Sequence, residues 1–205
     1  MFNKSLRELI YATPQMYVNT SSSKWNNEAL QVLVMTVMRQ AVDPAALNEC
    51  SLLKVSLESE DEIVIEDNGV GLPVAPPWYW SPDTPALTHL LEWFMKTGGR
   101  TKAYYEEFGF IDYFATLLNF LSELLRIDTV RQGQAYTVSC SNGDIITPLH
   151  KVDDCALKQG TRIYFKPDPA IFPSPAFSEE LLEMKMNTLA SEFPQVKFEF
   201  YYCPK

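Results

Sequence analysis

Ile63-Val64-Ile65-Glu66-Asp67-Asn68-Gly69-Val70-Gly71-Leu72-Pro73 is the stretch that decides how this chain is read. Its opening residues favour a strand, and the Asp-x-Gly-x-Gly that follows has the composition of a tight loop leaving a strand end. Alone, the pattern carries two readings. Asp and Gly are the usual residues of strand-ending turns, yet a half-buried carboxylate beside glycines can also receive the flat edge of a small molecule.

Working outward, Leu52 to Leu57 reads as a second strand, joined to Ile63–Glu66 by the acidic turn Glu58-Ser59-Glu60-Asp61, which predicts a hairpin. Before it, Asn26-Asn27 precede an apolar run from Ala29 to Val42. Leu30, Leu33, Val34, Val37, Met38 and Ala41 recur there at three- and four-residue spacing, which predicts a buried amphipathic helix stopped near Pro44. Downstream, Pro73, Pro76, Pro77, Pro82 and Pro85 predict an irregular stretch, and Ala86 to Lys96 returns to helical periodicity before Gly98-Gly99. Tyr113 to Leu125 predicts a second apolar helix. Arg126–Arg131, Ala135–Cys140 and Ile145–Leu149 then predict a meander with turns at Gln132-Gly133 and Asn142-Gly143-Asp144. Arg162 to Lys166 is a further strand, Ser178 to Ala190 a capped helix, and Val196 to Tyr202 a last strand. Helices interleaved with hairpins predict an α+β fold: a two-layer α/β sandwich with a mixed, mostly antiparallel sheet and helices on one face.

The chain has 205 residues, 46% of them apolar, so it can build one full core over 1–205. Seventeen basic residues against 26 acidic give a net charge of −9, and no Lys/Arg-rich run is available to neutralise phosphates in a row. Direct DNA binding is not expected. Charge breaks the apolar residues of Met1 to Glu8, and Asp112, Asn119, Ser122 and Glu123 break the apolar stretch from Phe108 to Leu125. Neither export nor a membrane span is predicted. Cys50, Cys140, Cys155 and Cys203 are widely separated, and His89 and His150 are the only histidines, so the expectation is a cytoplasmic chain with no metal site.

Order strengthens the central motif. An apolar helix, a hairpin, Glu66 to Pro73, a helix ending in Gly98-Gly99, and then Gly160-Thr161-Arg162-Ile163-Tyr164-Phe165 follow one another. That series resembles the ATPase domain found in the B subunits of DNA gyrase and topoisomerase IV, of the GHKL superfamily with its Bergerat fold. Leu6-Arg7 with Pro14-Gln15-Met16-Tyr17-Val18 is similar to the family's opening segment. Asn119-Phe120-Leu121-Ser122 is similar to an internal run, and Asp168 to Phe177 to the stretch after its Gly-Thr strand, so the likeness covers nearly the whole chain. The resemblance implies nucleotide-binding roles for Asp67, Gly69, Gly71 and Thr161. In the family the aspartate accepts a hydrogen bond from the adenine amine, the threonine assists through a water, and the glycines let the ring approach.

The departures bear on mechanism. Where the family has a catalytic glutamate that deprotonates the attacking water, this chain has Thr36; where it has a magnesium-holding asparagine, this chain has Gln40. A hydroxyl has no useful basicity near neutral pH. Gln40 keeps a carbonyl on a stem one methylene longer, which displaces a metal from near-ideal octahedral geometry, so magnesium is not expected. Neither Glu28 nor Asp43 occupies the vacated position. The family's glycine-rich phosphate lid corresponds to Phe108-Gly109-Phe110-Ile111-Asp112-Tyr113-Phe114, where only Gly109 keeps the pattern. Glycines there let backbone N–H groups wrap phosphates. The bulky residues predict a fixed helix start instead, and Asp112 is either a helix cap or a charge opposed to phosphate. Trp78-Tyr79-Trp80 in the proline-rich stretch is either an interaction patch or a plug for the pocket.

These readings lead to one expectation and one rival. The expectation is a degenerate, stand-alone gyrase-B-like domain, without transducer, TOPRIM or DNA-cleavage domains. It has lost ATP hydrolysis and serves as a binding or regulatory module for a protein partner, retaining at most weak binding of ATP or another purine nucleotide. The rival is a functional ATP-binding or ATPase subunit, or a fragment, of a type II topoisomerase-like system.

Overall fold

In the computed structural model, residues 6–18, 20–43, 49–75, 85–92 and 111–203 are described. Strands β1 (Leu52–Ser59) and β2 (Glu62–Asp67) form the expected hairpin. β3 (Ser122–Arg131), β4 (Gln134–Ser141) and β5 (Asp144–Val152) form the meander, followed by β6 (Gly160–Pro167) and β7 (Lys197–Tyr202). They make one sheet in the order β5-β4-β3-β6-β2-β1-β7. Every neighbouring pair is antiparallel except β1 with β7. Both meander turns place two residues at positive φ, Gln132 (54°) with Gly133 (73°) and Asn142 (52°) with Gly143 (90°), the tight hairpin geometry that matches strand twist.

Helices α1 (Leu6–Ala12), α2 (Asn27–Val42), α3 (Ala86–Glu92), α4 (Ile111–Leu121) and α5 (Glu179–Glu192) supply the second layer, on one face of the sheet. Asn26 caps α2 by accepting from the Ala29 N–H at 2.9 Å, and Ser178 caps α5 from Leu181. The periodic residues of α2, from Leu30 to Ala41, are all buried. Residues opposite one another in a ladder share a face, so the sheet meets the helices in rows. One row runs Leu57–Ile63–Phe165–Leu125–Cys140 and the next Val55–Ile65–Ile163–Ile127–Val138. Fully burying side chains of this size is worth roughly 1.5–3 kcal/mol each, so these rows fix the stacking of the two layers. The third row turns polar: Leu53–Asp67–Thr161–Thr129.

One expected boundary moves. The apolar run Tyr113–Leu125 does not continue as helix; α4 stops at Leu121 and β3 begins at Ser122 without a linker. The residues that end it are distant in sequence. The Asn119 carbonyl accepts from the Gly143 N–H at 3.0 Å, the Leu121 carbonyl from Asp168 at 2.9 Å, and the Ser122 carbonyl from Asn142 at 2.8 Å. Those donors, with the Ser122 hydroxyl that also donates to the Asn119 carbonyl at 3.0 Å, satisfy carbonyls that a glycine cap otherwise serves. α1 is an addition to the expected elements, pinned by Tyr11 Oη donating to the Phe120 carbonyl at 3.2 Å and Trp25 Nε1 to the Ile10 carbonyl at 2.8 Å. Among the described residues no helix is long and apolar enough to cross a membrane.

Candidate nucleotide site

The polar row opens into a cavity between sheet and helices. Its walls are apolar, from Val37 and Ala41 on α2, Ala115 and Leu118 on α4, Leu72 of the loop, and Ile65, Ile127 and Ile163 of the sheet. Three polar side chains interrupt them: Asp67, Thr161 and Gln40. The space is a narrow slot. Its volume is about 40 Å³, room for a few water molecules.

Asp67 is the last residue of β2 and stands directly across from Thr161 on β6; both are buried. One Asp67 carboxylate oxygen accepts the Gly69 N–H at 2.8 Å, so the Asp-x-Gly pair closes its own turn and holds the carboxylate in place. Gly71 has φ +79°, and a Cβ there would lie 2.4 Å from the Val130 carbonyl oxygen and 3.0 Å from Thr129 Oγ1. Protein fills the space this glycine leaves. Its smallness lets the loop lie against β3.

Side chains outside the motif hold the loop as firmly. Thr129 Oγ1 accepts the Leu72 N–H at 2.7 Å and donates to the Gly160 carbonyl at 3.3 Å, and Arg131 Nη1 donates to the Gly71 carbonyl at 2.6 Å. Within the motif, Asn68 Oδ1 accepts from the Ser51 and Leu52 N–H groups at 2.9 and 2.8 Å, tying the loop to the start of β1. Gly160 matters most. It has φ +99°, and a Cβ there would fall 2.0 Å from the Asp67 carbonyl oxygen, so the backbone beneath Asp67 requires glycine at that point. Gly160 was legible as half of Gly160-Thr161; Thr129 and Arg131 carry no sequence signal, because only strand register brings them here.

The two helix positions behave differently. Gln40 lines the cavity with Asp67 and Thr161. Thr36, one turn earlier, lies outside that lining and donates its hydroxyl to the Val32 carbonyl at 2.7 Å, the usual back-bond of a helical threonine. Cys50, just before β1, is also part of this neighbourhood. Burial, and next the negative charge of Asp67, push its thiol up to about 11 while Sγ donates to the Leu52 carbonyl at 3.2 Å. The thiol therefore stays protonated at neutral pH. Phe108, Gly109, Phe110, the side chains of Ile111 to Phe114, and the Trp78-Tyr79-Trp80 cluster lie outside the described residues.

No family model matches the sequence. Individual relatives do. The chain is 30% identical over 196 residues to the B subunit of the type 2 topoisomerase of Aquifex aeolicus, covering 94% of this chain and 24% of that protein. It is 28% identical over 195 residues to the B subunit of the DNA gyrase of Thermotoga maritima, covering 94% and 29%. It therefore spans between about a quarter and a third of the length of these curated relatives. The fold superposes on the crystal structure of the 43K ATPase domain of Thermus thermophilus gyrase B, solved with an aminocoumarin. The TM-score is 0.76 at 25% identity, over 96% of this chain and 48% of that one. Sequence and fold agree, and the chain is a homologue of the gyrase and topoisomerase IV B subunits over a region that carries the fold of the gyrase B ATPase domain.

Proposed function

We propose that this chain is a gyrase-B-like domain that has lost ATP hydrolysis and works as a binding or regulatory module, its pocket receiving a purine base and ignoring the phosphates. The observation that carries this reading is the hydrogen bond from the Thr36 hydroxyl to the Val32 carbonyl. Thr36 stands where the family's catalytic glutamate is expected. A hydroxyl at that position is no base, and here it is turned onto its own helix. The sheet side of the slot supports the purine half of the proposal. A buried carboxylate at Asp67 and a hydroxyl at Thr161 can address one edge of a flat ring, and Ile65, Ile163, Val37 and Leu118 can cover its faces.

Titration calorimetry with adenosine, ADP and ATP, each with and without magnesium, tests the proposal. The expected result is affinities that agree within about threefold across the series, since only the base is recognised. ATP binding at least tenfold tighter than adenosine, about 1.4 kcal/mol, overturns it. The rival reading, a working ATPase, draws on the position of Gln40, which lines the same slot as Asp67. Magnesium-dependent phosphate release that Asp67→Ala abolishes would establish that rival.

A further inference from the structure

We propose that a groove between the N-terminal halves of α2 and α5 docks a segment of a partner protein that combines large apolar side chains with lysines or arginines. The groove is lined by Val32 and Met35 of α2, Phe177 of the preceding loop, and Leu181 and Met184 of α5. Leu181 (39%) and Met184 (57%) are two of the six large apolar side chains exposed among the described residues, and they converge on this one place. Methionines at such a surface adapt to a partner's shape at little cost. The far ends of the two helices are closed to each other by the Arg39–Glu192 ion pair, with Arg39 also over the Phe193 ring at 5.5 Å. The N-terminal halves leave the opening lined by these residues.

Two polar features say what chemistry fits it. Gln31 lines the groove and is 5% exposed; its Nε2 donates to the Ala176 carbonyl at 3.0 Å, which fixes the amide orientation. Its Oε1 is buried and has no hydrogen-bond partner among the described residues, an acceptor in want of a donor. The bank of the groove is acidic. Glu28 lines it directly, and Met184 is shared with an adjoining depression that holds Glu180 and Glu183. Apolar walls and three carboxylates are complementary to a basic apolar segment, and they oppose an acidic one or a second copy of a chain whose net charge is −9. The groove and the nucleotide slot have no lining residue in common, so the failure of either proposal leaves the other standing.

Fluorescence anisotropy with two labelled helical peptides of about four turns, both with leucines at i, i+3, i+4 and i+7, tests the inference. One carries Lys and Arg at its remaining positions and the other Glu. The basic peptide is expected to bind saturably and the acidic one at least tenfold more weakly. Leu181→Asn combined with Met184→Gln, both at exposed positions, is expected to reduce binding of the basic peptide at least tenfold with thermal unfolding unchanged. Glu180→Lys with Glu183→Lys is expected to weaken it threefold or more. Equal binding of the two peptides, no saturable binding, or binding indifferent to the Leu181/Met184 pair overturns the proposal. So does sedimentation as a dimer that the same pair dissolves, since a second copy would then occupy the groove.

Discussion

The two walls of the slot are built under different constraints. On the sheet side, Asp67, Gly71 and Thr161 are held by strand register, by Gly69, Thr129 and Arg131, and by the close approach of Gly160 to the Asp67 backbone. On the helix side, Thr36 and Gln40 sit on α2, whose stability comes from Leu30, Leu33, Val34, Val37, Met38 and Ala41 on its buried face. Changing a side chain at 36 or 40 leaves that face intact. The proposed recognition of a base would thus rest on backbone geometry that the fold itself needs, whereas the positions where the family's hydrolytic residues are expected carry side chains the fold does not need. A domain can shed the second and keep the first.

The largest effect is expected from Gly160→Ala. The new methyl would meet a backbone oxygen at 2.0 Å on a residue at φ +99°, so unfolding in denaturant should reveal a loss of more than about 3 kcal/mol. Gly133→Ala is the control. It shares a positive φ (+73°) but has nothing within 4 Å, and its cost should stay near 1–2 kcal/mol. Equal losses would mean that the approach to Asp67 is not a constraint.

Next in size is Asp67→Asn. An asparagine can keep the bond to the Gly69 N–H while offering an NH₂ group in place of an acceptor. Adenosine affinity should fall at least tenfold, about 1.4 kcal/mol, and inosine, with a carbonyl where adenosine has an amine, should lose less. A parallel loss for both nucleosides would show that Asp67 does not read the purine edge.

A smaller effect follows from Cys50. Its thiol titrates near 11 in the fold against an ordinary 9.0, so below pH 9 it is neutral both folded and unfolded. Between those values the unfolded chain loses its proton first. Stability should therefore fall as pH rises from 9 to 11, by at most about 2–3 kcal/mol from this group. Cys50→Ala should flatten that part of the stability–pH curve, and Asp67→Asn should lower the pH at which Cys50 is alkylated. The smallest effect belongs to Thr36. Thr36→Val removes only the back-bond to Val32 and should change stability by no more than about 0.5 kcal/mol, and Thr36→Glu alone should leave phosphate release at background. Turnover restored by that single change would erase the distinction between the two walls.

Most of the layer architecture was legible because it is local. The spacing in Ala29–Val42, the caps Asn26 and Ser178, and the Gln132-Gly133 and Asn142-Gly143 turns are dictated within a few residues, and the structure has them. The end of α4 was illegible because the carbonyls of Asn119 and Leu121 are met by the N–H groups of Gly143 and Asp168, both distant in sequence.

The same division runs through the site. By itself the sequence determined that a carboxylate followed by two glycines leaves a strand, that a Gly-Thr pair begins another, and that residue 36 cannot be a base; those properties belong to single residue types and their neighbours. Only the tertiary structure decided that Thr161 stands opposite Asp67, that Gly71 is small for the sake of β3, that Thr129 and Arg131 hold the loop, and that Thr36 turns to Val32 while Gln40 reaches the slot. The reason is physical: pairing register and close packing join residues tens of positions apart, and no local preference of the chain encodes which partner a strand will meet.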